Sequence, residues 1–321
     1  MSKFDDKYIY LCRRILDHGE KITNYKKTDT RSKKVASAIP DHTAQASSEA
    51  QTIRLPHQIL EFDLEKEFPI LTSKKVAFKT AVLEILWIYQ EASNDVRWLQ
   101  DRGIKIWNEW EIAKDGTYQG RNLNEIFAKN HPNEEKQDFA HTIGTAYGWI
   151  VKRYNLIENL IETLKENPGN RRMVLSLWQN EWLETAALPS CVWNSQWNLI
   201  DGHLNLLVTS RSSDVPLGLP FNVVQYATLC YLIASIIGAK PGKFTFITND
   251  AHIYENQIDG IKEQIARYDK AIKDGTLPEA PTLWVNPKIK DFHKFDNSRE
   301  LKDIRLDNYN NLGTISMPVT E

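Results

Sequence analysis

The chain has 321 residues, enough for one large domain or two ordinary ones with a substantial core. Its 40 Lys and Arg nearly cancel 42 Asp and Glu, which gives no reason to expect nucleic acid or an acidic surface as partner and leaves anion binding to local clusters. Three cysteines, Cys12, Cys191 and Cys230, are too few and too scattered for a disulfide framework or a zinc knuckle, which suits a reducing compartment.

The opening Met1-Ser2-Lys3-Phe4 lacks a signal-peptide core, which predicts a cytoplasmic protein. Tyr8, Leu11, Cys12 and Ile15 follow at helical spacing, and Gly19 is a natural stop. Cys12 on that stripe, like Cys230 farther on, reads as a small buried hydrophobe. From Lys21 to Gln51 the chain is polar without a sustained period, which predicts a long mobile loop. Thr52 to Leu71 holds two short strand-like runs, and Thr72-Ser73-Lys74-Lys75 opens a helix predicted to run through Tyr89. On it Ala77, Ala81, Glu84 and Ile88 share a face. A carboxylate on an apolar stripe either escapes to solvent at the stripe edge or is buried with partners, where its pKa rises toward neutrality.

Residues 93–141 predict a small helical excursion with an irregular loop, in which Trp98, Trp107 and Trp110 are core anchors or a platform for a flat ring. Apolar spacing from Ile150 to Leu164 predicts one amphipathic helix ended by Asn167-Pro168-Gly169. Arg171 and Arg172 follow, a solvated charge pair or a bidentate phosphate fork, and lead into a strand over 173–178. Asp201-Gly202 favours a tight hairpin, and counting back and forward from it brings Cys191 level with Arg211. A thiol nucleophile needs such a cation; a third core cysteine is the alternative. Polar groups crowd Arg211-Ser212-Ser213-Asp214 before Gly218 and Asn222. The apolar run Pro220 to Gly238 is too short for a membrane span and is interrupted by Gln225, Thr228 and Ser235, so a buried central helix is predicted. A strand over 244–248 precedes Asn249-Asp250, read as the cap of a helix beginning near His252.

Pro189-Ser190-Cys191, Arg211-Ser212-Ser213-Asp214, Gly218-Leu219-Pro220-Phe221-Asn222 and Asp250-Ala251-His252-Ile253-Tyr254 resemble the thymidylate synthases in order and spacing. Glu84-Ile85-Leu86-Trp87, Trp107-Asn108-Glu109-Trp110, Ala146-Tyr147-Gly148 and Arg171-Arg172 extend the resemblance over most of the chain from about Phe68. It implies an α+β fold in which a large mixed or antiparallel sheet packs against a long buried central helix and further helices. It implies a single catalytic domain over 1–321, with the sheet used in a two-fold homodimer.

The resemblance further implies a methyltransferase that converts deoxyuridylate (dUMP) to thymidylate, with 5,10-methylenetetrahydrofolate as cosubstrate and neither metal, membrane nor nucleic acid required. It implies that Cys191 adds to C6 of the pyrimidine. Glu84, Trp107 and Tyr147 form the polar network beside the base, and Asn222 reads its edge. Arg211 and Ser212 meet the phosphate, with Arg171 and Arg172 supplied by the neighbouring subunit. His252 and Tyr254 hold the deoxyribose, Asp214 and Gly218 meet folate and pyrimidine, and Trp110 flanks the folate. Lys74 aligns with a basic position that meets the folate's glutamate tail. Val192 and Ser210 replace a usual histidine and glutamine, and Asn108 a usual aspartate. Arg31 is the candidate for an N-terminal phosphate arginine. The closing Pro318-Val319-Thr320-Glu321 is similar to the family's tail that covers folate, with Thr320 in that cover. Rival readings are a pyrimidine hydroxymethylase on the same scaffold and a non-catalytic nucleotide- or RNA-binding relative.

Overall fold

The structure, a computed structural model, describes residues 2–23 and 51–319, so Arg31 and Thr320 lie outside the described residues. Helix α1 (Lys3–His18) starts under Ser2, whose Oγ accepts the Asp5 N–H at 3.4 Å, and it buries the predicted stripe with Cys12 on it. Strand β1 (Glu20–Thr23) pairs antiparallel with β2 (Gln51–Asp63), so both ends of the segment expected as loop belong to the sheet. The two runs expected between Thr52 and Leu71 are one strand followed by irregular chain. Pro56 and His57, with φ +50° at His57, break the alternation of residues without ending the pairing to the next strand.

Helix α2 (Phe78–Tyr89) begins later than expected, because the backbone N–H groups of Thr72 and Ser73 donate to the buried Asp5 carboxylate instead of starting a helical ladder. The excursion contains α3 (Arg97–Gln100), a hairpin of β3 (Thr117–Tyr118) and β4 (Arg121–Asn122), and α4 (Leu123–Asn130). The single helix expected from Ile150 to Leu164 is two, α5 (Gly148–Arg153) and α6 (Leu156–Glu166), interrupted where Asn155 takes a left-handed φ of +50°.

The remaining sheet strands are β5 (Val174–Ser176), β6 (Val192–Ile200), β7 (His203–Ser210), β8 (Ser213–Asp214) and β9 (Lys240–Tyr254). Their order is β1-β2-β9-β7-β6-β5 with β8 beside β9, and β9 runs parallel to β7 and β8 while the other pairs are antiparallel. Helix α7 (Gly218–Ile237) is the predicted central helix, packed on β7, β9 and α2. It is the one helix among the described residues long and apolar enough to cross a membrane, and it is mostly buried inside the protein. Each fully buried Val, Leu or Ile on it contributes about 1.5–3 kcal/mol. Helix α8 (Ile258–Asp274) starts beyond the expected cap, because Asp250 and His252 are still strand residues, held by β2 on one side and, at His252, by β8 on the other. A small ribbon of β10 (Thr282–Val285) and β11 (Ile304–Asp307) completes the chain.

The sheet's other face is only lightly covered. Glu61, Thr245, Leu207, Gln196 and Val174 form one cross-strand row from β2 to β5, and Ile59 sits in the next row opposite Ile247. Ile59 at 60%, Ile200 at 58% and Val174 at 47% exposure leave this sheet with apolar side chains facing water.

Candidate active site

The β6–β7 hairpin sets the first distance of the site. Asp201 and Gly202, with φ of +50° and +73°, make the left-handed two-residue turn that matches strand twist, and Ile200 pairs His203 across it. Register then carries Cys191 and Arg211 to the open end, where the Arg211 N–H donates to the Cys191 carbonyl at 2.9 Å. A bulge at Trp193, between the Val192–Ser210 and Asn194–Thr209 pairs, twists the strand just beyond the cysteine. Arg211 is held by the Pro189 and Ser190 carbonyls, at 2.8 and 3.2 Å, and its Nη2 lies 3.5 Å from Cys191 Sγ. A half-buried sulfur beside a fixed guanidinium is reachable by a substrate and sits in an electropositive setting. Cys12 and Cys230 are fully buried, and burial raises both thiols to about 12, which removes them as nucleophiles.

A buried polar chain faces the cysteine. The Cys191 N–H donates to Tyr147 Oη at 3.0 Å, and the Tyr147 ring meets Trp107 edge-on, with centroids 5.3 Å apart. Trp107 Nε1 donates to Glu84 Oε1 at 2.9 Å, and Gln225 Nε2 donates to Glu84 Oε2 at 2.7 Å. Asn222 Nδ2 then donates to Gln225 Oε1 at 3.1 Å. Because an ionised carboxylate only accepts, it fixes the direction of both amides and leaves Asn222 Oδ1 and one Nδ2 proton without a hydrogen bond among the described residues. Glu84 therefore does not escape to solvent: α2 is buried on all sides here, and burial raises the carboxyl to about 7 against the two hydrogen bonds that lower it. Tyr147 carries backbone strain, φ +46° and ψ −107°, worth on the order of 1–3 kcal/mol. The chain passes so close to Ser93 that a Cβ on the next residue, Gly148, would lie 1.9 Å from the Ser93 carbonyl oxygen.

The Glu84 carboxyl yields a stability prediction with a definite sign. Its folded pKa lies above the ordinary value, so its contribution to stability is present below pH about 4.5 and is lost as pH rises through about 7. Glu84→Gln escapes that loss and should gain about 2–3 kcal/mol relative to the parent between pH 5 and pH 9. Thermal unfolding of both proteins across that range is the check; a stability difference that does not change with pH contradicts the buried-carboxylate account.

Three strands build the polar corner beyond Arg211. His252 Nδ1 on β9 lies 2.9 Å from Asp250 Oδ1 and 3.4 Å from Ser212 Oγ, and Arg54 on β2 donates to Asp250 Oδ2 at 3.2 Å. Burial opposes the Asp250 charge, but His252 and Arg54 hold its carboxyl below the usual range. Tyr254 ends the same strand, its ring edge-on to His252 at 5.0 Å.

Before α7, Asp214 accepts from the Leu217 N–H and from Gln257 Nε2, both at 3.1 Å. Burial raises its carboxyl, while Gln257, Leu217, His252 and Lys74 pull the other way. Gly218 opens α7 directly above it. Trp110 is half-buried against Trp107, their centroids 5.4 Å apart. Lys74 is turned inward: it is 5% exposed, donates to the Pro216 carbonyl and is lowered to about 8 by burial, so it does not reach outward for an anionic tail.

The fold thus gathers Cys191, Arg211, Ser212, Tyr147, Glu84, Trp107, Asn222, Asp214, His252 and Tyr254 through the chain of contacts above. Arg171 and Arg172 are apart from it, exposed at the turn between α6 and β5, where they line a surface concavity with Asn167, Gly169 and Asn170. Among the described residues no cluster of three His, Cys, Asp or Glu is grouped to hold a metal. Sequence reasoning missed Gln225, Arg54, Asp250 as a partner of His252, and Gln257. Only Gln225 left a signal, an amide in an apolar helix three positions after Asn222.

A family model described as thymidylate synthase matches residues 6–321. The chain is 41% identical over 320 residues to a thymidylate synthase of Clostridium beijerinckii, covering 100% of each. It is 35% identical over 318 residues to thymidylate synthase 1 of Bacillus subtilis, covering 96% of each. Its fold superposes on the thermostable thymidylate synthase A from Bacillus subtilis with a TM-score of 0.75 at 31% identity, covering 99% of both chains. With this agreement along the whole length and the cysteine, arginine and asparagine motifs joined by one network of contacts, the chain belongs to the thymidylate synthase family.

Proposed function

We propose that this chain is a methyltransferase that converts dUMP to dTMP, with 5,10-methylenetetrahydrofolate as cosubstrate and dihydrofolate as coproduct, acting as one catalytic domain. The observation that carries the reading is the pairing of a guanidinium-flanked Cys191 with an amide chain oriented by Glu84. Uracil offers an N3–H donor and an O4 acceptor, and the free Oδ1 and Nδ2 proton of Asn222 answer both; cytosine presents the reverse pattern. With the ring so held, the Cys191 thiolate adds to C6. Arg211 offsets charge at the sulfur and, with Ser212, meets the phosphate. His252 and Tyr254 meet the deoxyribose. Glu84, poised near neutrality, exchanges protons with the base edge through the network it anchors. Once C5 carries the one-carbon unit, its proton is lost, hydride reaches the new carbon and the Cys191–C6 bond breaks, which returns the thiolate and restores the C5–C6 double bond.

These residues suit a folate: Trp107 and Trp110 offer aromatic surface, Gly218 a helix start without a side chain, and Asp214 an acceptor for the amino and N–H edge of a pterin. When bound, the folate supplies the one-carbon unit and the hydride. Lys74 supports the Asp214–Pro216 turn from beneath. The exposed apolar sheet face supports a homodimer, and the exposed Arg171 and Arg172 support a phosphate contact made across it. Arg31 and Thr320 are proposed at the phosphate and the folate cover respectively. The free cysteines suit the cytoplasm.

The deciding experiment follows absorbance while dUMP and methylenetetrahydrofolate are mixed with the protein. Formation of dihydrofolate and dTMP in equal amounts is expected. A hydroxymethylated nucleotide with tetrahydrofolate, or preference for dCMP, overturns the reading.

A further inference from the structure

We infer that Gln257 is a positioning residue for the folate half of the reaction, its single buried amide fixing the Asp214 carboxylate and the C-terminal segment relative to each other. Gln257 is 0% exposed, so each of its polar atoms must find a partner inside the protein. Its Nε2 donates one proton to Asp214 Oδ2 and the other to the Pro318 carbonyl, each at 3.1 Å, while Oε1 accepts the Tyr254 N–H at 3.1 Å. Both donors are spent on two segments 104 positions apart, Asp214 and Pro318, and the acceptor ties them to the end of β9.

The chemistry selects an amide. A carboxylate here could still accept from Tyr254 but would donate nothing and would face the Asp214 carboxylate. An apolar side chain of this size would strand the Tyr254 N–H and leave Asp214 with one fewer donor. Farther along the same stretch, Gly260 on α8 supplies a seat: a Cβ there would lie 2.7 Å from Met317 Cγ and 2.9 Å from Met317 Cε. Met317 therefore packs directly on the helix backbone, and the next residue, Pro318, is the one Gln257 holds. Two consecutive tail residues are anchored by the start of α8, and the same anchor reaches Asp214.

This inference rests on the reading that Asp214 and the tail enclose folate, and the experiment separates the two. Gln257→Glu should raise the KM for methylenetetrahydrofolate about tenfold with the KM for dUMP within about twofold, since the Tyr254 acceptor survives. Carboxypeptidase should release the C-terminal residues of the unliganded variant several-fold faster than those of the parent. Because Gln257 is buried, Gly260→Ala is made alongside: it favours the helix, unseats Met317, and should give the same faster release and the same selective rise in folate KM. Unchanged folate KM and release in both variants, or an equal rise in both KM values, overturns the inference. A chain lacking Pro318–Glu321 provides the separation. If that truncation leaves the folate KM unchanged, the enclosing-tail reading fails and the inference with it; if it raises the folate KM while Gln257→Glu and Gly260→Ala do not, only the role of Gln257 fails.

Discussion

Cys191→Ser should leave a protein that binds dUMP nearly as the parent does and turns it over on the order of 10⁴-fold more slowly or worse. The substitution is close to isosteric, and apart from the Arg211 Nη2 contact to Sγ at 3.5 Å the local bonds are made by the backbone: the Cys191 N–H goes to Tyr147 and the Cys191 carbonyl accepts from Arg211, so the turn stays where it is. What changes is the nucleophile. A hydroxyl is far harder to ionise near neutral pH than a thiol, and the guanidinium 3.5 Å away is a single charge that cannot close that gap. The measurement pairs steady-state turnover with equilibrium binding of dUMP. Turnover within tenfold of the parent would mean that no covalent bond to residue 191 is needed; lost binding together with lost turnover would mean that the cysteine shapes the pocket and that its chemistry is untested by this variant, in which case trapping of a Cys191–pyrimidine adduct in the parent decides the matter.

The parts of this site that were legible in the sequence share one property: their geometry is set by short-range rules. The Cys191–Arg211 pair could be placed because a two-residue turn fixes register, and register fixes every pair along the hairpin. Glu84 announced itself by lying on an apolar face, although its burial depended on α7, which no local pattern places against α2. In sequence Gln225 is only an interruption in an apolar run, since its role needs the two helices together. Arg54, Asp250 and His252 meet because β2 and β9 pair over most of their length, whereas the sequence pattern ends that strand before Asp250. There the local preference of Asn249-Asp250 for a helix cap lost to pairing with neighbouring strands. The break between α5 and α6 and the strain at Tyr147 are further cases: a single left-handed residue leaves the hydrophobic period almost intact and so passes unseen.

Mixing two inactive variants should restore about one quarter of the sites. Arg171 and Arg172 are exposed at a turn that leads into β5, and they line a surface concavity apart from Cys191. β5 is also the edge strand of the sheet whose outer face exposes Val174, Ile200 and Ile59. If that face meets its copy about a two-fold axis, the arginines of one subunit reach the phosphate of the other, and each site is built from two chains. Cys191→Ser chains and Arg171→Ala/Arg172→Ala chains are then each nearly inactive alone, for different reasons. Unfolded and refolded together in equal amounts, half of the dimers are mixed by random association. In each mixed dimer one site combines an intact cysteine with intact partner arginines, while the other collects both defects. One wild-type site in half of the dimers is about a quarter of all sites, and recovered kcat should approach that fraction of the parent's. Mixed dimers verified by mass that remain as inactive as either parent would place the arginines in their own subunit's chemistry or outside catalysis. Recovery well above one quarter would show that one of the two single-variant parents was not inactive to begin with.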